Sequence, residues 1–483
     1  MTAPPPDANR TRSAKVALVA GLSGLALAAC ATLPPAAPAR IAKPAESYAA
    51  SQSLAAPAAD WPIDAWWTGY HDAQLSQLID EALKGSPTLA ATNARVRRAE
   101  ALAAQARGAE LPTVSAEASA KEMKQSYNIG IPAEFVPQGY NDYGKLALDF
   151  SWELDFWGKN RAAVAAATSE ARAAEAEAAE ARLMLASNIA LAYAEFGRLY
   201  TDRDVVARAI DLQNETSQLV RNRVANGLDT RGTQRQAEAE PLASQAELAA
   251  IDEQILLTRH RLAALLGAGP DRGLAIPRPT EPPPVTLGLP ASLAAELVGR
   301  RPDVTAARWR AEAAASRIRE AKAAFYPNVN LVGFVGYQSL KLNEFFKSGS
   351  DVGSIGPALT LPVFEGGRLR AGLRGAEADR DAAVANYDAA VAEAFHQVAD
   401  ALASKRSVAA QIDTSRAALA ASEDAYKVAR LRYQGGLSPY SSVLLAEQGV
   451  LSRRRAVARL QGRAFAADVA LVRALGGGYR AAP

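Results

Sequence analysis

Arg221-Asn222-Arg223-Val224-Ala225-Asn226-Gly227-Leu228 and Arg430-Leu431-Arg432-Tyr433-Gln434-Gly435-Gly436-Leu437 are two versions of one stretch, 209 positions apart. Each carries a proline-free basic segment into a turn built on glycine, which takes left-handed backbone angles at no steric cost. At the same offset, Ala237-Glu238 falls on Ala446-Glu447 and Leu266-Gly267 on Leu475-Gly476. Toward the N-terminus the offset becomes 215. There Ser86-Pro87-Thr88-Leu89 falls on Arg301-Pro302-Asp303-Val304, and Leu111-Pro112-Thr113-Val114 on Tyr326-Pro327-Asn328-Val329. Two matched halves separated by six net deletions are an internal duplication. The first repeat is read as residues 60–269 and the second as 291–483, with the proline-rich segment 270–290 as linker.

Each half reads as helix, strand pair, very long helix, tight turn and return helix, an α+β chain. In the first half Pro87–Ala109 is helical, and Pro112 opens an extended run to Tyr127. After a loop with Gly130, Pro132 and Pro137, the run Tyr143–Phe156 alternates strictly. Leu146, Leu148, Phe150, Trp152, Leu154 and Phe156 stand against Lys145, Ala147, Asp149, Ser151, Glu153 and Asp155, a strand with one apolar and one polar face. The second half supplies Asn328–Leu340 and Ser354–Val363, with weaker alternation.

Asn160–Ala225 contains no proline; at 1.5 Å per residue it would span roughly 100 Å. Val164, Ala171, Ala178, Leu185, Ala192, Leu199 and Val206 recur every seven residues, a coiled-coil spacing. Val384, Val391 and Val398 do the same in the second half. The return helix carries two seams, Val443-Val450-Val457-Ala464-Leu471 and Leu444-Leu451-Ala458-Phe465-Val472. Two seams call for neighbours on both sides, as in a cylinder; an elongated coiled coil without a channel needs one. Four strands are too few for a closed barrel, which takes about eight, and an open edge in lipid leaves backbone groups unsatisfied. Several chains must therefore contribute strands to one barrel.

The 54 basic and 51 acidic side chains nearly cancel, which argues against nucleic acid as partner. His71, His260 and His396 lie far apart in sequence, with no ligand-spaced Cys or acidic cluster, so no metal site is expected. The signatures GxxxxGK[ST], HExxH and GxSxG are absent, and with them the usual marks of an enzyme. Residues 1–29 read as a secretory signal: Arg10, Arg12 and Lys15, then the apolar stretch Val16–Ala29, too short to span a bilayer. It ends in Leu27-Ala28-Ala29-Cys30, which matches the bacterial lipobox, and Cys30 is the single cysteine of the chain. The match implies cleavage before Cys30 and an anchor of diacylglycerol and N-acyl chains, with no other cofactor. Ala31, where inner-membrane lipoproteins often carry Asp, points to the outer membrane. Residues 30–59, rich in Ala and Pro, read as an extended lipidated tether.

Trp66-Trp67, Asp72, Leu75, Leu78 and Ala82-Leu83, then Leu111-Pro112, Phe156-Trp157-Gly158-Lys159 and Ala474-Leu475-Gly476-Gly477-Gly478-Tyr479, resemble the TolC/OprM family of outer-membrane efflux ducts, in its lipoprotein branch. The resemblance covers nearly the whole mature chain and departs mildly at Tyr479, where the family usually has Trp. It implies a homotrimer with a 12-stranded β-barrel and a 12-helix α-barrel, joined to a periplasmic adaptor and an inner-membrane pump. Gly227, Leu228, Gly436 and Leu437 would form the adaptor-docking tip. Tyr433 matches the family's gate tyrosine, with Val224 as its counterpart, and Asp229 and Arg231 are the nearest charged tip residues. Thr233, Ser442 and Leu445 stand where many relatives place a ring of aspartates, which puts cation binding at the tip in question.

Two rival readings remain at this stage: a type I secretion exit duct, which shares the fold, and a periplasmic coiled-coil adaptor lipoprotein, which would have one hairpin rather than two. The lipobox makes its own prediction. Cys30→Ser abolishes incorporation of labelled palmitate, and persistent labelling would overturn the assignment.

Overall fold

The computed structural model describes residues 33–35, 38–128, 130–279, 288–290 and 293–481; the signal segment and Cys30 lie outside them. The duplication is exact in the lengths of three helix pairs. Helices α2 (Pro87–Gly108) and α7 (Pro302–Ala323) have 22 residues each. The long helices α3 (Lys159–Ala225) and α8 (Arg368–Gln434) have 67 each, and the return helices α4 (Arg231–Leu265) and α9 (Tyr440–Ala474) have 35 each. Shorter helices are α1 (Ala73–Gly85), α5 (Pro270–Leu274) and α6 (Leu293–Arg300). None of the described helices is long and apolar enough to cross a membrane.

The chain divides into two compact units. The first takes the described part of Met1–Ile41 with Arg97–Ala173 and Arg308–Asn386. It holds strands β1 (Thr113–Met123), β2 (Asn141–Glu153), β3 (Asn328–Ser339) and β4 (Asp351–Thr360), antiparallel in the order β1-β2-β3-β4. Register puts Ala116, Leu148, Val335 and Gly353 in one cross-strand row, and Val114, Phe150, Gly333 and Ile355 in the next. The alternate rows join Glu117, Ala147, Gly336 and Val352, and Ser115, Asp149, Phe334 and Ser354. One face is thus largely apolar; the other carries Ser115, Glu117, Asp149 and Ser354 but also Phe334 and Val352, and is the more polar of the two mainly on β1 and β2. The apolar face is not a core: Val335 is 63% exposed and Ile355 76%. On the polar face Lys145 and Glu117 pair at 2.6 Å. Strands β1 and β4 each keep an edge without a partner strand in the sheet.

The second unit takes Ala42–Val96, Ala174–Ala307 and Tyr387–Pro483. Its core collects Trp66, Trp67 and Tyr70 with Leu75, Leu78 and Ile79 of α1 against Ile189, Tyr193 and Phe196 of α3. Asp72 caps α1: Oδ1 accepts from the Leu75 N–H at 2.9 Å, and Oδ2 accepts from the Tyr193 hydroxyl at 2.7 Å. Gly476, Gly477 and Gly478 all have positive φ. A Cβ on Gly476 would collide with the Arg300 carbonyl, so this chain end fits only without side chains.

Three readings are refined. In the heptad beginning at Val164 only Ala171 of the first four members is buried, with Val164, Ala178 and Leu185 half-buried, while Ala162, Ser169, Ala176, Leu183 and Ala190 form a continuous buried row there; the expected seam takes over at Ala192, Leu199 and Val206. A face of alanines is apolar in more than one phase, so spacing alone did not select the row. The tether is docked from Arg40 onward rather than loose. In the first unit the Arg40 N–H donates to Asp381 (3.1 Å). In the second, Tyr48 stacks on Phe395 with centroids 5.7 Å apart, and Leu54 and Trp61 pack on the α8 core. The linker is docked as well: α5 packs on α4, Arg272 forks onto Glu81 (2.7 and 2.9 Å) and Arg278 meets Asp204 at 2.6 Å.

Asp72→Ala removes a helix cap and leaves the buried Tyr193 hydroxyl without its charged acceptor. The expected cost is about 2–4 kcal/mol, read as a lowered denaturation midpoint. Asp72→Asn, which can still cap and accept, costs less; equal loss for both would refute this role.

Candidate gate and docking site at the hairpin turns

The two turns have the same backbone. At the end of α3, Gly227 N–H donates to the Val224 carbonyl (3.0 Å) and Leu228 N–H to Arg223 (2.8 Å). At the end of α8, Gly436 N–H donates to Tyr433 (3.0 Å) and Leu437 N–H to Arg432 (2.8 Å). This paired pattern with a left-handed residue is a Schellman motif, and φ is +70° at Gly227 and +73° at Gly436. Leu228 and Leu437 are exposed, 64% and 72%, so both turns present an apolar side chain beside a glycine. No side chain stands over Gly227, and only the tip of Arg223 approaches Gly436. These are the four residues expected at the docking tip, and each turn holds them open to solvent.

The residues after the turns differ between halves. Thr230 caps α4 by accepting from the Thr233 N–H, whereas α9 starts after Pro439 with no side-chain cap. Arg231 is exposed, but Tyr440, 209 positions on, is buried against Tyr433 with centroids 5.8 Å apart. Tyr433 itself is 1% exposed, in a cluster with Val220, Ala237, Val443 and Leu444.

One polar network crosses from hairpin to hairpin. The Tyr433 hydroxyl donates to Asp229 Oδ2 at 2.8 Å. Arg223 lies over the Tyr433 ring, 4.9 Å from its centroid, with Nε 3.8 Å from Asp229 Oδ2. Its guanidinium also donates to the Gln434 and Leu228 carbonyls, each at 3.4 Å. Partial burial raises the Asp229 pKa, but the Thr230 N–H, Thr233, Tyr433 and Arg223 outweigh it and hold the carboxyl below its ordinary value. Burial, then the hydrogen bond to Asp229, pushes the Tyr433 hydroxyl well above the usual phenol value. Of the three residues read as a gate, Tyr433 and Asp229 are therefore brought together. Arg231 takes no part in the network, and Arg223 holds the cationic place instead. Its signal lay in the repeat, where Arg223 matches Arg432 at the same place before each turn. Thr233 stays beside Asp229 through Thr230, while Ser442 and Leu445 point to solvent, Leu445 being 73% exposed.

The sequence pattern of the outer membrane efflux protein family matches residues 78–268 and 293–477. Over 430 residues the chain is 32% identical to the multidrug resistance outer membrane protein MdtP of Escherichia coli K12, covering 88% of each. It is 39% identical to the fusaric acid resistance protein FusA of Burkholderia cepacia over 324 residues, 66% of this chain but only 61% of that protein. Among solved structures, the outer membrane protein VceC of Vibrio cholerae superposes with a TM-score of 0.82 at 47% identity, over 86% of this chain and 100% of VceC. The outer-membrane channel OprN does so with a TM-score of 0.82 at 29% identity, covering 92% and 98%. A duplicated strand pair and hairpin, an apolar sheet face open to its surroundings, and these likenesses agree: the chain belongs to the outer membrane efflux protein family and is the outer-membrane channel of an efflux system.

Proposed function

We propose that three copies of this chain close one twelve-stranded barrel and one twelve-helix tunnel, the exit duct of a tripartite pump. The observation that carries this reading is the four-stranded sheet with an exposed apolar face and two unpaired edges. Three such sheets joined edge to edge satisfy every strand and turn the apolar rows to lipid. Cys30 carries the lipid anchor, and the strap docked from Arg40 onward leads toward it. The cargo is small toxic molecules, in keeping with the resistance named for MdtP and FusA, and their selection is left to the inner-membrane pump.

In this reading the hairpin turns are both gate and dock. Tyr433, Asp229 and Arg223 fasten one hairpin to the other and keep the tunnel end narrow. Gly227-Leu228 and Gly436-Leu437 receive an adaptor, the glycines allowing close approach and the leucines supplying apolar contact. A type I secretion duct would share the barrel, but the named relatives favour drug efflux.

Two substitutions separate the roles. Gly436→Trp abolishes drug efflux while the trimer still assembles, and Gly227→Trp does so less completely. Tyr433→Ala raises passive conductance in a planar bilayer several-fold, with Tyr433→Phe intermediate because only the hydroxyl is lost. Because the Asp229 pKa is depressed, the lock is intact above the ordinary carboxylate range and weakens as pH falls through the lowered value. Conductance therefore rises at acid pH, and less so in Asp229→Asn, which is already unlocked. Normal pumping by the tryptophan variants would remove the turns as docking surface, and unchanged conductance in Tyr433→Ala would remove the gate.

A further inference from the structure

The duplication carries one carboxylate in two opposite settings. Glu238 on α4 accepts hydrogen bonds from Gln234 and Arg235, both at 2.9 Å, and these hold its carboxyl below the usual range. Its counterpart on α9, Glu447, is 3% exposed and makes no ion pair among the described residues. Its hydrogen-bond partner is Gln213 on α3, itself 4% exposed, whose Nε2 donates to Glu447 Oε1 at 2.7 Å. Glu447 Oε2 and Gln213 Oε1 are both buried and both without a partner. With the carboxyl ionised, each of these two atoms can only accept. One proton on Oε2 supplies the donor the pair lacks. A neutral carboxyl and a primary amide can close a ring of two hydrogen bonds, N–H to carboxyl oxygen and O–H to amide oxygen, which satisfies both atoms together.

The surroundings favour the neutral form. Burial first, and the negative charge of Glu240 on α4, push the Glu447 carboxyl above its ordinary value, against the lowering by Gln213. A cavity of about 410 Å³ between α3, α8 and α9 adjoins Glu447, and among the described residues no cation of its lining pairs with that carboxyl. Arg454 of α9 is held by Glu423 of α8 at 2.7 Å, and Lys427 by Asp424 at 4.0 Å. Arg208 of α3 is exposed and forms no ion pair with Glu447. Tyr426 of α8 and Tyr440 of α9 also face the carboxylate; burial, then the charge of Glu447, raises both hydroxyls, so neither is a source of positive charge.

We propose that Glu447 and Gln213 form a proton-binding site that fastens α9 to α3 and holds the hairpin turns closed. The link to the turns is short: Tyr440, Val443 and Leu444 on the same helix pack directly on Tyr433. The proposal rests on the reading of those turns as a gate. The sign is opposite to that of Asp229. A carboxyl whose folded pKa is raised gives its full stabilisation below the unfolded value and loses it as pH rises through the folded value. The seam is therefore complete at lower pH and opens on the alkaline side.

The test uses the full-length channel in detergent and in planar bilayers. Infrared spectra taken just above the ordinary carboxylate range show the C=O band of a protonated carboxyl in the wild type, and Glu447→Gln lacks it. As pH is raised above the ordinary carboxylate range, wild-type conductance rises several-fold as that band disappears, while Glu447→Gln, a neutral amide of the same shape, stays at the low-conductance level. Gln213→Leu, which removes the amide but leaves the helix, shifts both the band and the conductance step to another pH. Absence of the band from the wild type just above the ordinary carboxylate range overturns the site. A band that titrates with no change in conductance overturns the coupling to the turns. Failure of the gate itself shows separately, as a Tyr433→Ala channel no leakier than the wild type.

Discussion

A strand edge carries a row of N–H and C=O groups that hydrocarbon cannot satisfy, and this chain has two such edges on one four-stranded sheet. The rows of Leu148, Val335 and Ile355 on one face exclude the alternative of leaving the sheet in water, because a face that open and that apolar is a liability there. Lipid on the face and protein at the edges meet both demands at once. Each strand pair is followed by a helix of 67 residues, the same length in both halves.

The duplication supplies matched parts, and the function sits where the match fails. The turns at Gly227 and Gly436 are alike to within 3° in φ and share the same pair of backbone hydrogen bonds. Side chains around them are not alike. Val224 is matched by Tyr433, Arg231 by Tyr440, Asp229 by Ser438, and Glu238 in a charged network by Glu447 in a buried seam. At two of these positions the first half carries a charge, Arg231 or Asp229, where the second carries the neutral Tyr440 or Ser438. Packing one half against the other then becomes complementary rather than self-repelling, and the Tyr433–Asp229 bond is the clearest product.

How much of this was legible depended on how much side-chain volume each position spends. Strand β2 declared itself because large apolar and polar residues alternate without a gap. Strands β3 and β4 were fainter because Gly333, Gly336, Gly353 and Gly356 occupy places in the rows without marking a face; only the register restores them. The heptad of α3 could be drawn in two phases while alanine filled both, and became unambiguous where Leu199 and Val206 appear. Tether and linker looked slack by composition, yet a few anchors, Tyr48, Trp61, Arg272 and Arg278, are enough to dock them. At the site, Tyr433 was visible through the family resemblance and Asp229 as the acidic residue nearest the turn. Arg231 was chosen for lying beside Asp229 in sequence, whereas Arg223, six residues before it, reaches Asp229 across the turn.

All of this rests on the claim that one chain is an incomplete barrel. The direct measurement is the mass of the assembly extracted in mild detergent, taken together with the strand content of the same sample. The account requires three times the mass of the chain beginning at Cys30, with the sheet intact, and loss of that sheet when the assembly is dissociated. A stable monomer that keeps its four strands folded would contradict it.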